Sequence, residues 1–154
     1  MAIDTIITAI KGLIETVEGV NKVYDYEPVI TDKAYKDLLD DDHKLNVWMV
    51  TRTTSEQGRG ITTNANVHGN NIRTHTITIN GFYSRTDDGA SELVFRELVE
   101  DILGVLRESF NLGLEDSIAT EPPQLNREGL AELLKQYVVH HANITYRIIE
   151  YISY

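Results

Sequence analysis

Histidines are the residues of this chain that could support chemistry most directly, and there are five of them. His140 and His141 are adjacent in a segment with the alternating pattern of a β-strand, so their side chains are expected on opposite faces and cannot bind one ion together. His75 lies in another predicted strand and could neighbour one of them across a sheet. No carboxylate stands at an obvious ligand spacing, so the sequence favours hydrogen-bonded histidines in or beside a sheet over a metal site.

The other motifs that could carry chemistry are incomplete. Asp37 and the run 40–42 lack the glycine and the terminal glutamate of a calcium-binding EF-hand loop, and a solvated acidic face explains them. The segment 58–60 is not followed by the Lys-Ser/Thr pair of a phosphate-binding loop, and neither a nucleophile elbow nor a zinc-protease motif occurs. The chain contains no cysteine, which excludes a disulfide framework and a thiolate site. The sequence therefore predicts no catalytic, metal or cofactor site, and the protein is expected not to be an enzyme.

The elements that would position these residues centre on the segment from Arg73 to Phe110. Residues 73–83 alternate, with His75, Ile77 and Ile79 on one side, which predicts a β-strand. Residues 91–110 repeat apolar side chains at helical spacing, and Ser91 is the expected N-cap. The apolar stripe of this predicted helix consists of Val94, Phe95, Leu98, Val99, Ile102, Leu103, Leu106 and Phe110.

The remaining segments add a second amphipathic helix and further strands. Residues 4–18 form that helix, which ends before Gly19. Strands are predicted at 23–26, 45–53, 117–121 and 137–154, and shorter helices at 31–42 and at 126–135, the latter capped by Asn126. The strand 45–53 is apolar on both faces, which predicts cover on both sides. The chain 1–154 is thus expected to form one α+β domain, with two main amphipathic helices packed on a mostly antiparallel sheet.

Residues 54–71 form the connection with the fewest apolar side chains. A connection of this length between two strands is unusual in a compact domain and often functional. Because Ile61 and Val67 could extend the flanking strands, the segment is predicted to form a long β-hairpin arm. Arginines flank it and could pair with carboxylates of a partner, although ordinary flanking charge explains them equally well. The candidate partner-binding residues are Arg52, Arg59, Ile61, Val67, Arg73 and Arg85.

The formal net charge is −10. This charge argues against a dedicated nucleic-acid-binding protein, because phosphate contacts require clustered Lys and Arg. An acidic surface would instead repel DNA and let it pass without sticking. No apolar run approaches the length of a membrane span, and no signal peptide is recognised at the N-terminus.

The order of these segments matches a known pattern along most of the chain. The segments in question are the helix end at 17–24, the strand 45–52, the histidine-led strand 75–83, the helix start at 91–99 and the late histidine strand 139–146. In this order they resemble the tail terminator, or tail completion, proteins of long-tailed phages and phage-like particles.

The resemblance implies a small α+β domain that assembles as a homo-oligomeric ring, typically a hexamer, at the head-proximal end of the tail tube. Such a ring ends polymerisation of the tail tube protein and presents a surface to the head-tail connector protein. It would be assembled in the host cytoplasm and located in the virion, with DNA passing through its channel without specific binding and with no cofactor or membrane involved. A ring repeats one heterologous contact, so two different patches of each subunit must match. One patch is expected on the arm and the other on an exposed sheet edge or a helix flank.

Several alternatives stay open at this point. A neighbouring role in the same particle, as a head-tail connector, neck or tube protein, is compatible with the same segments, although tube proteins are usually richer in β-structure. A different class is a small cytoplasmic ligand-binding or enzymatic α+β domain, with a pocket near His75, His140 and Tyr146. A third is an adaptor module that binds another protein through the arm.

Overall fold

The structure is a computed structural model, and it describes residues 3–28, 44–59, 71–85, 89–114, 116–133 and 137–152. Within these ranges the fold is α+β, as predicted, with two helices and a mixed sheet of six strands. The predicted helix at 31–42 and the arm residues Ile61 and Val67 lie outside the described residues. In chain order the elements are α1 (Ile3–Glu15), β1 (Lys22–Tyr24), β2 (Asn46–Arg59), β3 (Asn71–Ser84), α2 (Ala90–Glu108), β4 (Ser117–Ala119), β5 (Gln124–Leu133) and β6 (Tyr137–Ile152).

The sheet is organised around its longest strand, β6. The strand order is β1-β2-β3-β6-β4, and β5 also pairs with β6. One edge of β6 pairs with β3 throughout, and the other edge pairs first with β5 and then, at residues 148–150, with β4. The pairing of β1 with β2 is parallel and the other four pairings are antiparallel. The expectation of a mostly antiparallel sheet therefore holds in this coarse form.

Both helices contact the face of the sheet that carries Trp48, which we call the helix face. Trp48 is fully buried and lies over Gly81, its register partner on β3. Phe95 of α2 stacks on the indole ring, with 5.8 Å between ring centroids. The indole Nε1 donates to Asn46 Oδ1 at 3.2 Å, and Asn46 Nδ2 donates to the carbonyl oxygen of Gly19 just after α1. One tryptophan thus joins the sheet to both helices.

The helices bury most of the predicted apolar positions. In α1, Ile6, Ile10 and Ile14 are fully buried. In α2 the predicted stripe is buried except at its two ends, where Val94 and Phe110 are 45% and 55% exposed. These two positions are corrections to the predicted stripe. Phe110 falls beyond the last helical residue, and Val94 lies on the flank of the helix that turns away from the sheet.

The start of α2 differs from the prediction. The helix begins at Ala90, and its N-cap position is Gly89, with φ of 78° and no side-chain capping bond. Ser91 is already inside the helix and is buried, and its hydroxyl bonds to Nε2 of His140 at 2.9 Å. The glycine makes the tight entry turn that a residue with a Cβ rarely adopts. Ser91, which the sequence pattern predicts as the N-cap, therefore forms a tertiary hydrogen bond instead of capping the helix.

The segment 126–135 was expected to be helical, and that expectation is wrong. Residues Gln124–Leu133 form strand β5, which pairs with β6. Asn126, the predicted helix cap, lies at a register shift in this pairing, and its amide donates to Asn143 Oδ1 at 2.9 Å. Strand pairing along β6 overrides the helical spacing of the leucines, because local propensity is weaker than tertiary context.

The opposite side of the sheet, which we call the second face, carries a smaller apolar cluster. Leu45, Val47, Met49 and Val139 are buried there, and partly buried side chains of β1, β3 and β5 pack against them. Because Trp48 and Val50 are buried on the helix face, residues 45–50 are covered on both sides. The prediction of two-sided cover for this strand is confirmed.

The contact between Trp48 and Gly81 gives a stability prediction. A Cβ at position 81 would overlap the six-membered ring of Trp48, whereas a Cβ at Gly104 in α2 meets nothing within 4 Å. Gly81→Ala should therefore lower the free energy of unfolding by about 1–3 kcal/mol or more. Gly104→Ala should raise it by about 0.5–1 kcal/mol, because alanine favours a helix interior. Urea unfolding measures both, and a Gly81→Ala protein as stable as wild type would contradict this packing.

Candidate functional site

The predicted partner-binding arginines do not form one group. Arg52 is opposite Ile77 in the β2–β3 register, and Arg73 lies two residues before His75 on β3, so both belong to the helix face. Arg59 ends β2, where its backbone pairs with Asn71. These three positions lie at or towards the same end of the sheet, next to residues 60–70.

Arg85 lies elsewhere. It follows the last residue of β3, at the end opposite to Arg73, which corresponds to about 40 Å of extended strand. The expectation that Arg85 groups with the other arginines around the arm is therefore wrong. The cause is the length of β3, which runs without interruption between the two positions.

Arg85 instead borders a cavity of about 460 Å³ between the start of α2 and β5. Its wall combines cationic, anionic and aromatic side chains. Arg96 and Glu92 form an exposed ion pair at 3.0 Å, of the kind that contributes little to stability. The lining residues are Arg85, Gly89, Ser91, Glu92, Phe95, Arg96, Glu128, Gly129, Leu130 and His140.

A buried polar network lies beneath the end of the sheet that carries Arg52 and Arg73. His75 Nε2 and Glu150 Oε2 are 2.8 Å apart, with 0% and 1% of their side chains exposed. His75 Nδ1 is 2.6 Å from Ser55 Oγ. Nε2 of His75 is placed to donate to the carboxylate oxygen of Glu150, and the Ser55 hydroxyl bonds to Nδ1. The network therefore connects β2, β3 and β6 through side chains as well as backbone.

A serine, a histidine and a glutamate connected in this order by hydrogen bonds resemble a catalytic triad, in which the histidine acts as a general base. Its position argues for a structural role, because neither His75 nor Glu150 exposes an atom that a substrate could approach. Removing one partner of such a buried pair leaves the other without its hydrogen bond. We therefore interpret it as a structural contact that joins β2, β3 and β6 through their side chains.

His140 and His141 point to opposite faces, as predicted. On the helix face His140 bonds to Ser91 and stacks on Phe95, with 5.5 Å between ring centroids. On the second face His141 stacks on Phe82 at 4.9 Å. His140 thus connects the start of α2 to the helix face of β6. His141 belongs to a row of hydrogen-bonded side chains on the second face, formed with Arg127, Asn80 and Asn143, which we call the polar ladder.

The ladder around His141 has only one consistent arrangement of hydrogens. Arg127 Nη1 lies 2.8 Å from His141 Nδ1, and because a guanidinium group only donates, Nδ1 is unprotonated. His141 Nε2 then donates to Asn80 Oδ1 at 3.0 Å, which also accepts from Asn143 Nδ2 at 2.8 Å. His141 is therefore neutral in the folded protein. Burial, and after it the Arg127 guanidinium, lowers the pKa of His141 below its ordinary value.

The pocket suggested for a ligand-binding protein does not bring its three residues together. His75 is opposite Ile148 on β6, eight residues from His140 and thus about 26 Å away along the strand. Tyr146 lies between them and donates its hydroxyl to the carbonyl oxygen of Leu106 at 2.7 Å. Burial raises the pKa of Tyr146 to about 12. These residues support the core and do not converge on one cavity.

The sequence did not indicate the pairing of His75 with Glu150. The two residues are 75 positions apart, and no motif spacing connects them. The alternation of side chains along β6 predicts part of this contact. Glu150 lies two residues after Ile148, so both side chains lie on the helix face of β6. A glutamate on an otherwise apolar strand face requires a buried partner, and His75 fulfils that requirement.

Comparisons with known proteins add no assignment. A scan of the sequence against protein-family models gives no match, and a search of curated proteins gives none either. Among the described residues, no group of three or more His, Asp or Glu side chains is placed to hold a metal ion. Within the same ranges, neither helix has the length and apolarity to cross a membrane.

The buried pair gives a second prediction. Glu150→Ala should lower the free energy of unfolding by about 1–3 kcal/mol, because Nε2 of His75 stays buried without its hydrogen-bond partner. Glu150→Gln should be milder, since the amide oxygen can still accept from His75 Nε2. The exposed Glu100→Ala in α2 is the control and should change stability by less than about 0.5 kcal/mol. Equal unfolding curves for Glu150→Ala and Glu100→Ala would show that the pair does not stabilise the fold.

The lowered pKa values of the two histidines on β6 give a pH prediction. Burial is the main cause that lowers the pKa of both His140 and His141. The unfolded chain therefore takes up protons before the folded protein as the pH falls through about 6.5. The stabilisation is complete above that pH and is lost progressively towards the lowered folded pKa. Urea unfolding from about pH 8 to pH 5 should show this loss, and His141→Gln should make it smaller. Identical pH profiles for wild type and His141→Gln would contradict the ladder.

Proposed function

We propose that this protein is a tail terminator, a structural protein that forms a ring at the head-proximal end of a phage-like tail tube. In this role it ends polymerisation of the tube and offers a surface to the head-tail connector. The observation that carries the proposal is the long β2–β3 pairing next to a helix-covered core. It supplies a domain that is stable by itself together with a segment suited to reach a neighbour.

The length and exposure of the hairpin support the arm. β2 and β3 have 14 residues each, roughly 46 Å, compared with about five or six residues in a typical strand. They pair from Asn46–Tyr83 to Arg59–Asn71. The five residues 52–56 are all exposed, and with a register shift between Arg52 and Thr54 they lie on both faces. A strand segment exposed on both faces contributes little to its own core and is available for a neighbouring subunit or for the tube.

The apolar side chains left on the surface also suit an assembly. Leu93 is 65% exposed on α2, and large apolar side chains of β5 and β6 are exposed as well. Single exposed apolar residues are ordinary, but several on neighbouring elements are typical of a surface that a partner covers. Outside α1 and α2 they are Tyr26, Phe110, Leu125, Leu130, Val138 and Tyr151.

The charge of α2 suits a channel for DNA. Its outward side carries exposed carboxylates, and only Arg96 and Arg107 oppose them. A surface of this sign repels the phosphate backbone and lets DNA pass without specific contacts. The exposed carboxylates of α2 are Glu92, Glu97, Glu100, Asp101 and Glu108.

The decisive experiment is electron microscopy of particles assembled without this protein. We expect tails longer than normal that do not join heads, and wild-type protein supplied in trans should restore length and joining. A variant lacking residues 59–68 should keep the circular dichroism spectrum and cooperative unfolding of the monomer, because the arm adds little to the core. It should fail to restore tails, whereas the control Glu15→Gln, at an exposed position of α1, should restore them.

Two results would contradict these expectations. Tails of normal length joined to heads, in particles without the protein, would exclude the terminator role. Loss of the folded spectrum on deletion of residues 59–68 would show that the segment belongs to the core and is not an arm.

A further inference from the structure

Among the described residues, two long strand edges, on β2 and on β5, have no strand paired with them. On one side, β1 pairs only with residues 47–49 of β2, and no described strand pairs with the outer edge of β2 from Val50 to Arg59. On the other side, no described strand pairs with the outer edge of β5, Gln124–Leu133. A shallow recess beside this edge is lined by Glu27, Thr51, Arg52 and Thr53. Within the part of the chain that the structure describes, each of these two edges is up to ten residues long.

The charges on these edges are complementary on each face of the sheet. On the helix face, β2 presents Arg52, opposite Ile77, and β5 presents Glu128 and Glu132, opposite Ala142 and Val138. All three charged side chains are exposed. When two edges join into one sheet, residues on the same face become cross-strand neighbours, and opposite charges there are favourable.

The second face carries the reverse combination. Glu56 of β2 is opposite Thr74 and shares the second face, and Arg127 of β5 is opposite Asn143 on that face. Neither edge matches a second copy of itself equally well, because β2 would bring Arg52 towards Arg52, and β5 would bring its glutamates together. Like charges directly opposite each other destabilise a strand pair.

From these observations we propose that the β2 edge of one subunit pairs with the β5 edge of the next, so that the sheets of neighbouring copies join edge to edge. The partner is a second copy of this chain, and the contact is heterologous, which generates a ring when the rotation closes. Backbone hydrogen bonds between the edges supply affinity, and the alternating charges select the partner edge. This inference rests on self-association in the proposed function and specifies the surface that performs it.

The absence of cysteine makes disulfide trapping a clean test. Thr54 and Ala131 both lie on the second face, opposite Thr76 and Val139 respectively. We would combine Thr54→Cys with Ala131→Cys in one chain, and Thr54→Cys with Gly129→Cys to allow for a different register. Mild oxidation of either matching pair should give a ladder of covalent oligomers on denaturing gels, because each chain then crosslinks to two neighbours.

Two controls separate this contact from others. Each single-cysteine variant can give at most covalent dimers. The pair Thr54→Cys with Glu132→Cys places the two thiols on opposite faces, and since a disulfide requires Cβ atoms about 3.5–4.5 Å apart, the ladder should be much weaker. Cooperative unfolding of every reduced variant verifies that the fold is retained.

Charge reversal supplies an independent measurement. Glu128→Arg with Glu132→Arg should shift light-scattering mass towards the monomer, and Arg52→Glu in the same chain should restore the oligomer at least in part. No ladder with either matching pair, or an oligomer that these reversals leave unchanged, would overturn the edge pairing. So would a protein that stays monomeric at its highest soluble concentration and gives no ladder.

Tail length in particles without the protein tests the terminator role independently of the crosslinking experiment. If particles without the protein have overlong tails but no ladder forms, the role stands and the edge pairing is wrong. If the ladder forms but tail length is normal without the protein, the subunits pair through their edges and the terminator role is wrong.

Discussion

The fold depends on the space that Gly81 leaves for the indole of Trp48. A side chain at position 81 would occupy that space, so the sheet can accept the tryptophan only where β3 carries a glycine. The tryptophan then gives α2 a flat surface on which Phe95 stacks, and through Asn46 it connects to the turn after α1. This contact thus connects both helices to one point of the sheet, within a larger shared apolar cluster.

Ionisable residues of β6 form further contacts near both ends of the sheet. His140 holds the start of α2, His141 joins the ladder that fixes β5, and Glu150 secures His75 next to the hairpin. Each polar group is buried or half-buried and has a defined partner, so strand register is specified by hydrogen bonds as well as by apolar packing. Side-chain contacts therefore link β2, β3 and β6 near the end of the sheet that carries Arg52 and Arg73.

The periodicity of apolar residues was sufficient to predict the α+β fold class, both main helices, and strands near β1, β2, β3, β4 and β6. These elements have one continuous apolar face or are buried on both faces. It failed at β5, whose leucines have helical spacing while its conformation is set by pairing with β6. It also failed at Ser91, where a contact with His140 replaces capping. The His75–Glu150 pair could not be predicted from spacing, since only the sheet register brings these residues together.

Free strand edges normally favour uncontrolled aggregation, and natural sheets limit this with charges on the edge. Here Arg52 and the glutamates of β5 carry opposite charges on one face of the sheet. In the proposed edge pairing, each edge would disfavour a copy of itself and favour the other edge, so that subunits would add in a heterologous series. Whether such a series closes depends on the rotation between subunits, and the twist that accumulates between adjacent strands supplies a rotation at every joined edge. The same charges that protect the monomer would thus select the contact from which a ring is built.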